Sequence, residues 1–162
     1  MMGAMNYCHV TSPIGPILLV GRPGVLSGLY LADHHKCPPV PAGATRDDGA
    51  FAGARTQLEE YFAGTRTEFD LDVETAGTPF QMTVWDGLRE IPYGETWSYG
   101  KLAAHIGRPG SSRAVGAANG RNPVSIIVPC HRVIGADGSL TGYGWGTDTK
   151  TWLLDHERLC RS

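Results

Sequence analysis

The chain has 162 residues, and its 14 lysines and arginines against 16 aspartates and glutamates give a formal net charge of -2. This length suits one domain, or two small domains that share a core. Hydrophobic residues make up 41% of the chain, which argues against wholesale disorder, and no apolar run approaches the ~20 residues of a membrane helix. Four widely spaced cysteines do not resemble a disulfide framework, and the first twelve residues show no secretory signal. We therefore expect a cytoplasmic protein with free thiols and no membrane contact.

The first half of the chain predicts a small antiparallel sheet and one helix. Turns rich in glycine and proline separate two apolar strands, at residues 17–20 and 25–31. Segment 33–48, rich in proline, glycine and charge, predicts a mobile loop. Apolar residues at near-helical spacing predict a helix over 51–62, and the alternation of 69–73 is typical of an edge strand.

Short helices characterise the second half of the chain. Thr78 is a suitable N-cap for a helix whose apolar stripe ends at Ile91. Two further helices, over 99–106 and 113–119, are joined by a tight turn of glycine and proline, which favours a helix-turn-helix. Other helical hairpins have similar patterns, so this signal is weak when it is taken alone. A last helix is expected over 148–159.

These elements together predict a mixed α/β (α+β) fold with two domains. Residues 1–76 would form the small antiparallel sheet with its helix, packed on a helical domain, residues 77–162, with the helix-turn-helix and an active-site loop. Residues 96–136 contain no acid and five bases, which are Lys101, Arg108, Arg113, Arg121 and Arg132. An ordinary solvated face would explain this stretch, but the missing acids favour a surface for a polyanion.

Cys130 is the strongest candidate for a reactive side chain. It follows an apolar run and lies between Pro129 and His131. A core cysteine is one interpretation, since cysteine is among the most buried residue types. The other is a thiolate nucleophile whose pKa is lowered by the neighbouring imidazole and by Arg132. Adjacent side chains on extended backbone point apart, so a water would have to bridge Cys130 and His131, which argues against a protease-like dyad.

Glu157 is notable for its position on the last predicted helix. It shares the inward face of that helix with Leu153 and Leu154. A carboxylate there is costly unless it is paired. One interpretation is a glutamate whose carboxylate reaches solvent, and the other is a buried acid that orients an imidazole, as the third member of a nucleophilic triad does.

The segment around Cys130 also resembles a known motif. Residues 122–134, with the sequence NPVSIIVPCHRVI, are similar to the active-site signature of the O6-alkylguanine-DNA alkyltransferases, also called methylated-DNA–protein-cysteine methyltransferases. Further segments fit the same family in the same order, and they are residues 12–16, 91–96, 98–99, 113–116 and 152–157. The resemblance covers nearly the whole chain, is strongest from residue 78 onward and is highly specific at PCHRV.

This resemblance implies direct-reversal DNA repair without a cofactor. An alkyl group would pass irreversibly from O6-alkylguanine, and from O4-alkylthymine, to Cys130 after base flipping, so the enzyme would act once as a suicide S-methyltransferase. His131 would act through water as the base, and Glu157 would hold its ring. Asn122 would brace the turn before the active-site loop. Tyr99 would crowd the DNA backbone, promote flipping and donate a hydrogen bond to the departing guanine.

The resemblance also implies how the protein binds its substrate. Backbone groups of Val133 and of Gly144, in a glycine-rich loop, would line the guanine pocket. Arg113 would replace the flipped base in the stack, with the recognition helix in the minor groove of double-stranded DNA. Other candidate contacts with DNA are Tyr99, Gly100, Arg108 and Ala136. We expect a monomer, with clustering on DNA left open.

Two candidate pocket residues depart from the family pattern. Ser125 stands where some members have proline, and Trp145 stands in the glycine-rich loop where many have glycine. Both are expected to change the tolerance for bulky alkyl groups. Some vertebrate members have an N-terminal zinc site, but the histidines and cysteine at 34–37 do not match its positions, so no metal is expected.

Two other functions compete with repair. An alkyltransferase-like lesion-binding protein flips damaged bases without chemistry, but such relatives replace the nucleophile, commonly with tryptophan, whereas this chain has Cys130. A methylation-sensing regulator usually carries an additional N-terminal domain with metal-binding cysteines, for which this chain has no room. The sequence therefore favours the suicide alkyltransferase.

Overall fold

The structure, a computed structural model, describes residues 5–140 and 143–160. The start of the chain, where no secretory signal is expected, and part of the glycine-rich loop lie outside the described residues. The chain divides into two compact units, Met1–Thr75 and Ala76–Ser162. Both contain strands and helices, which confirms the mixed α/β class, whereas separate roles for two domains stay a prediction. Within the described residues, no helix is both long and apolar enough to cross a membrane.

A five-stranded sheet organises the N-terminal unit. Its elements are β1 (Asn6–Val10), β2 (Ile17–Arg22), β3 (Val25–Leu31), β4 (Thr45–Arg46), α1 (Ala52–Phe62) and β5 (Asp72–Val73). The strands lie in the order β4-β1-β2-β3-β5. The three long strands pair antiparallel, whereas each short edge strand runs parallel to its neighbour.

The two predicted apolar strands are confirmed, with β2 at the centre of the sheet. Residues 17–20 of β2 are all buried, so this strand is covered on both faces. β1 was not predicted from the sequence, although its buried and outward side chains alternate as in a half-exposed strand. β4 lies inside the segment predicted as a loop, and the predicted edge strand is shortened to β5. Both are set by backbone pairing with distant strands, for which two residues carry no local signal.

Helices and two short strands form the C-terminal unit. Its elements are α2 (Pro79–Leu88), β6 (Trp97–Ser98), α3 (Tyr99–His105), α4 (Ser112–Gly120), a 3₁₀ turn (Cys130–Arg132), β7 (Val133–Ile134) and α5 (Thr147–Leu159). β6 runs parallel to β7, with Trp97 opposite Val133. This pairing places the start of α3 beside the residues that follow Cys130.

Side-chain caps set the starts of two of these helices. Thr78 and Gln81 form a capping box at the start of α2, with hydrogen bonds of 3.1 Å and 3.0 Å. Ser98 accepts a backbone N–H of the first turn of α3 at 3.0 Å. α2 ends before the predicted Ile91, because the chain leaves the helix in a turn that buries Ile91 separately.

Close packing of three helices supports the helix-turn-helix. The indole N–H of Trp85 on α2 donates to the carbonyl of Ala118 on α4 at 2.8 Å. Gly87 lets α2 approach the segment after α3, because a Cβ atom there would lie 2.6 Å from a methyl group of Ile106. Gly107 then turns the chain with a φ of 77°, a conformation that glycine adopts without strain.

Candidate active site

A tight turn delivers Cys130 to the site. Backbone hydrogen bonds of 2.8 Å and 3.0 Å close the turn within residues 124–128. Ile126 has a φ of 73°, which is rare for a β-branched residue and persists only where surrounding structure imposes it. Cys130 then begins a 3₁₀ turn that includes His131. The expectation that these two residues lie on extended backbone is therefore wrong.

Two asparagines at the end of α4 hold this turn from both sides. The Asn122 side chain accepts the Val124 N–H at 3.0 Å and donates to the Val128 carbonyl at 2.8 Å. Asn119 donates to the Cys130 carbonyl at 3.2 Å. Asn122 thus lies where the sequence predicted a bracing residue, whereas Asn119 was not identified. Both side chains are buried, so these bonds fix the backbone around the candidate nucleophile.

A buried ionic group, which we call the carboxylate cluster, consists of His131, Arg132 and Glu157. His131 Nε2 lies 2.6 Å from Glu157 Oε2. Arg132 donates to the same carboxylate through Nε at 2.8 Å and Nη2 at 3.1 Å, and through Nη1 to the Ile91 carbonyl at 2.7 Å. Glu157 lies on the inward face that helix spacing predicted, and of the two interpretations the buried acid is the one that the structure has. Arg132 is also buried, so it does not belong to the basic surface with which the sequence grouped it.

The carboxylate cluster fixes the protonation states of its members. Burial alone would raise the pKa of Glu157, but His131 and Arg132 outweigh burial and hold that pKa well below its usual range. Burial lowers the pKa of His131, so its ring is neutral at neutral pH. Because a carboxylate only accepts, Nε2 carries the ring proton and Nδ1 keeps a lone pair. Nδ1 is buried and has no hydrogen-bond partner within residues 5–140 and 143–160, which makes it the available base.

The Cys130 thiol is free and only 3% exposed. Its Sγ lies 4.0 Å from Ser125 Oγ. Burial raises the pKa of the thiol, and hydrogen bonds from Asn122 and Ser125 and the charge of Lys150 offset this only in part. The expectation of a lowered pKa is therefore wrong, because the neighbouring imidazole and guanidinium are held by the carboxylate cluster. The resting protein holds this sulfur as a neutral thiol.

Lys150 is a fully buried lysine beside the thiol. Its Nζ donates to the Val133 carbonyl and lies 6.0 Å and 5.9 Å from the ring centres of Tyr99 and Tyr143. Burial lowers its pKa from 10.5 to about 8, while the nearby Cys130 acts in the opposite direction. A cation at this depth stabilises negative charge on the sulfur or on a bound group.

Lys150 was not predicted as a site residue, although the helix spacing that places Glu157 inward applies to it as well. Lys150 precedes Leu153 by three residues and Glu157 by seven, so all three side chains lie on one face of α5. Extending the stripe that placed Glu157 by one helical turn would have found it. A lysine on a helix is ordinarily exposed, which is why the spacing alone did not single it out.

Tyr99 begins α3 close to the same sulfur. Burial raises the pKa of Tyr99, the nearby Cys130 raises it further, and a hydrogen bond with Asn119 offsets this in part. The phenol therefore stays protonated and can donate. The predicted pocket residue Val133 is buried next to the 3₁₀ turn, and its carbonyl, which accepts from Lys150, retains a second lone pair.

The other predicted pocket residues meet at the pocket loop, residues 143–146. The Trp145 indole N–H donates to Ser125 Oγ at 2.7 Å. A Cβ atom on Gly144 would lie 3.2 Å from the Gly120 carbonyl, so glycine lets the loop approach the end of α4. The structure thus joins Trp145, Ser125 and Cys130 in a chain of contacts that sequence spacing does not reveal.

The predicted DNA-contact residues other than Tyr99 are exposed. Arg113 is the second residue of α4, and Arg108 lies in the turn between α3 and α4. Gly100 lies in the first turn of α3, and Ala136 follows β7. The exposed bases of this unit's acid-free stretch are Lys101, Arg108, Arg113 and Arg121. They leave the helix-turn-helix with an exposed basic surface.

The histidine-rich segment of the N-terminal unit shows no metal-like arrangement. The rings of His34 and His35 stack at 4.4 Å, and the Cys37 thiol donates to a backbone carbonyl. Across the two described ranges, no group of three or more histidine, cysteine, aspartate or glutamate side chains could hold a metal ion.

Both units match models of a single protein family. Residues 79–159 match the model described as 6-O-methylguanine DNA methyltransferase, DNA binding domain. Residues 5–75 match the model described as 6-O-methylguanine DNA methyltransferase, ribonuclease-like domain. The chain therefore belongs to the 6-O-methylguanine DNA methyltransferase family, which confirms the resemblance of the motif around Cys130.

Individual relatives agree with this assignment. The chain is 53% identical over 154 residues to the methylated-DNA–protein-cysteine methyltransferase of Mycobacterium tuberculosis, which covers 95% of this chain and 93% of the relative. The protein of the same name from Methanosarcina acetivorans is 51% identical, with 96% and 100% covered. A crystal structure of M. tuberculosis O6-methylguanine methyltransferase superposes with a TM-score of 0.92 at 51% identity, covering 98% and 95% of the two chains. M. tuberculosis OGT in complex with DNA has a TM-score of 0.90 at 52% identity, with 96% and 94% covered.

Proposed function

We propose that this protein repairs alkylated DNA by direct reversal, moving an alkyl group from O6 of guanine in double-stranded DNA to Sγ of Cys130. The observation that carries the proposal is a free, buried Cys130 inside the family motif, with the carboxylate cluster beside it. Relatives named methylated-DNA–protein-cysteine methyltransferases support the same reaction. O4-alkylthymine, which also carries its alkyl group on a ring oxygen, is a second substrate.

The chemistry is a single displacement at carbon. The thiolate attacks the alkyl carbon, the sulfur–carbon bond forms as the carbon–O6 bond breaks, and the electron pair leaves with guanine. Guanine then takes up a proton and is restored. The alkyl group passes directly from base to protein, so the reaction needs no cofactor. Because the thioether has no bond that water can readily hydrolyse, each chain reacts once.

His131 takes the thiol proton through a water molecule. Its Nδ1 is the unpartnered base of the described site, and no direct hydrogen bond joins the ring to Cys130. Glu157 orients the ring and stabilises the imidazolium that forms, as the third member of a triad does. Asn122 acts as a positioning residue because it holds the turn before Cys130.

Several groups around the sulfur bind the departing guanine and stabilise its negative charge. Tyr99 stays protonated and donates to the base, while Lys150 supplies a buried cation. The free lone pair of the Val133 carbonyl accepts from the guanine amino group, and the Gly144 backbone lines the opposite wall. Donors of this kind act strongly because the site excludes water.

Access to O6 requires the base to leave the duplex. Extrusion costs a few kcal/mol, ~2–4, and is easiest for a damaged pair. The exposed Arg113 on α4 fills the gap from the minor groove, while Gly100, Arg108 and Ala136 contact the backbone. Exposed bases of this kind make binding to DNA weaken as salt rises.

The remaining assignments follow from the same proposal. Residues 77–162 act as the alkyltransferase domain and residues 1–76 as a separate sheet domain. The presence of Cys130 favours repair over lesion binding without chemistry or methylation sensing. We propose that the protein is a monomer and acts in the cytoplasm. Measuring the stoichiometry of its complex with DNA would show whether several molecules bind side by side.

Intact-mass spectrometry tests this function directly. The protein is mixed with a duplex that carries one O6-methylguanine, and we expect a gain of one CH₂ unit, mapped to the peptide with Cys130. Cys130→Ala should gain nothing, while Cys160→Ala, which changes another free thiol, should react normally. Uptake by Cys130→Ala, or many turnovers by the unchanged protein, would contradict the proposal.

A further inference from the structure

The Ser125 side chain contacts both the Trp145 indole and the Cys130 sulfur, and the proposed reaction assigns no role to these contacts. Ser125 is buried between the Trp145 indole, whose Nε1 lies 2.7 Å from its Oγ, and the Cys130 sulfur, 4.0 Å from the same atom. The indole belongs to the pocket loop, whereas the serine belongs to the turn before Cys130. One hydroxyl therefore links the pocket loop to the nucleophile.

The direction of these bonds follows from the chemistry of the donors. An indole N–H can only donate, so Ser125 Oγ is the acceptor of the Trp145 bond. In the resting protein the Cys130 thiol donates to the same oxygen, and once the thiol has ionised the single hydroxyl proton can turn towards the sulfur. Within the described part of the chain, Ser125 Oγ donates to no other acceptor.

We propose that Trp145 and Ser125 are positioning residues that form a hydrogen-bond relay, in which the indole orients the hydroxyl and the hydroxyl donates to the Cys130 thiolate. This inference rests on the proposed function, since it explains how the acceptor sulfur reaches its reactive form. Successive hydrogen bonds polarise one another, so the indole strengthens the bond that Ser125 makes to the sulfur. A thiolate gains more from this donor than a thiol does, because hydrogen bonds to charged groups are the stronger ones.

Ser125 shares this task with Asn122, whose side-chain hydrogen bond also lowers the pKa of the thiol. The Asn122 amide donates to the Val128 carbonyl, and Lys150 donates to the Val133 carbonyl. Titratable phenols face the same sulfur from α3 and from the pocket loop, and these are Tyr99 and Tyr143. Burial raises the pKa of both, so neither phenol carries a charge at neutral pH, whereas Lys150, with a pKa of about 8, loses its charge within the titration in every variant.

Thiol titration without DNA tests the relay. The rate at which iodoacetamide alkylates Cys130, followed by peptide mass spectrometry, is measured against pH for the unchanged protein, Trp145→Phe, Ser125→Ala and the double variant. We expect each single variant to raise the apparent pKa of the thiol by about one unit. The double variant should match Ser125→Ala, because the indole acts only through the hydroxyl.

Matched variants separate the relay from packing. Trp152→Phe, a change of the same type on α5, should leave the titration unchanged, and Ser125→Thr, which keeps a hydroxyl, should retain most of the wild-type pKa. A purely structural role for Trp145 predicts a rate change at every pH with no shift in pKa, and that result overturns the relay. Additive shifts in the double variant also overturn it. Because no DNA is present, these outcomes are independent of whether the protein accepts alkyl groups from DNA.

Discussion

The two sides of the active site treat charge in opposite ways. On one side, the carboxylate cluster keeps Glu157 ionised, with both oxygens bonded to His131 and Arg132. On the other side, burial raises the pKa of Cys130 and lowers that of Lys150, so both groups are pushed towards their neutral forms. The first side pairs its ionic charges before any substrate arrives, whereas on the second side the sulfur acquires its charge only during reaction, beside a lysine that is still charged at neutral pH.

This difference suits a protein that reacts once. A permanently ionised thiol would be open to alkylating agents and oxidants, because the thiolate is the reactive form. With His131 prearranged beside a neutral thiol, the thiolate needs to form only when a flipped guanine occupies the pocket. The paired side supplies orientation, which costs nothing at the moment of reaction, and the unpaired side supplies the reactivity.

Breaking the paired side should have the largest effect. Glu157→Gln leaves Arg132 buried without its counter-ion, so we expect the free energy of unfolding to fall by about 3–5 kcal/mol in urea denaturation. The same variant should slow alkylation at neutral pH, because His131 loses the group that stabilises its protonated form. Asp155→Asn, on the same helix but paired with Arg158 at the surface, should cost less than about 1 kcal/mol. Equal losses in the two variants would contradict the role given to the carboxylate cluster.

The carboxylate cluster also makes the free energy of unfolding depend on pH. The pKa of Glu157 is lower in the folded state than in the unfolded chain, so its contribution is present above the ordinary glutamate range, about pH 4.3, and is lost as pH falls. The unchanged protein should therefore lose stability below about pH 5 more steeply than Glu157→Gln does. Parallel curves for the two proteins would show that the carboxylate is not coupled to folding.

His131 and Glu157 on the paired side and Cys130 on the unpaired side were predictable from the sequence, whereas other features of the site were not. Cys130 and His131 belong to a contiguous motif, and helix spacing alone places Glu157 inward. The left-handed turn at Ile126 and the contact between Trp145 and Ser125 depend on segments that meet only in the folded chain.

The role of the Arg132 charge was predicted wrongly for a related reason. The sequence places Arg132 next to Cys130 and among the basic residues, but its partner lies 25 positions away on α5. The strands were predictable where apolar runs were long, as in β2, and not where two residues pair with a distant strand, as in β4. Local patterns thus fix the elements and the motif, while partners and protonation states come from tertiary contacts.

Removing the buried cation from the unpaired side should have an intermediate effect. We expect Lys150→Met to slow the reaction with free O6-benzylguanine about tenfold at pH 7, because a charge that stabilises the thiolate and the leaving base is lost. The pKa of Lys150 is about 8, so its charge is present below that pH and is lost above it. The difference in reaction rate between the unchanged protein and Lys150→Met should therefore narrow as pH rises past 8. The exposed Lys101→Met is the matched control and should react normally, and a difference that stays constant to pH 9.5 would remove Lys150 from the charge balance.

Replacing Trp145, beside the unpaired side, should have the smallest effect. We expect that effect to be on the preference between alkyl groups. The N–H of Trp145 donates to Ser125, which orients the half-buried indole that we propose lies at the rim of the guanine pocket. A benzyl group can stack on the face of the indole and a methyl group cannot, and such pairs are worth about 0.5–1.5 kcal/mol. Trp145→Gly should therefore lower the ratio of benzyl to methyl transfer rates about two- to tenfold, measured on duplexes that carry each adduct. Trp145→Phe keeps an aromatic face and should preserve the ratio even though it breaks the relay, which distinguishes alkyl selection from thiol activation. An unchanged ratio in Trp145→Gly would show that the indole acts on the sulfur alone.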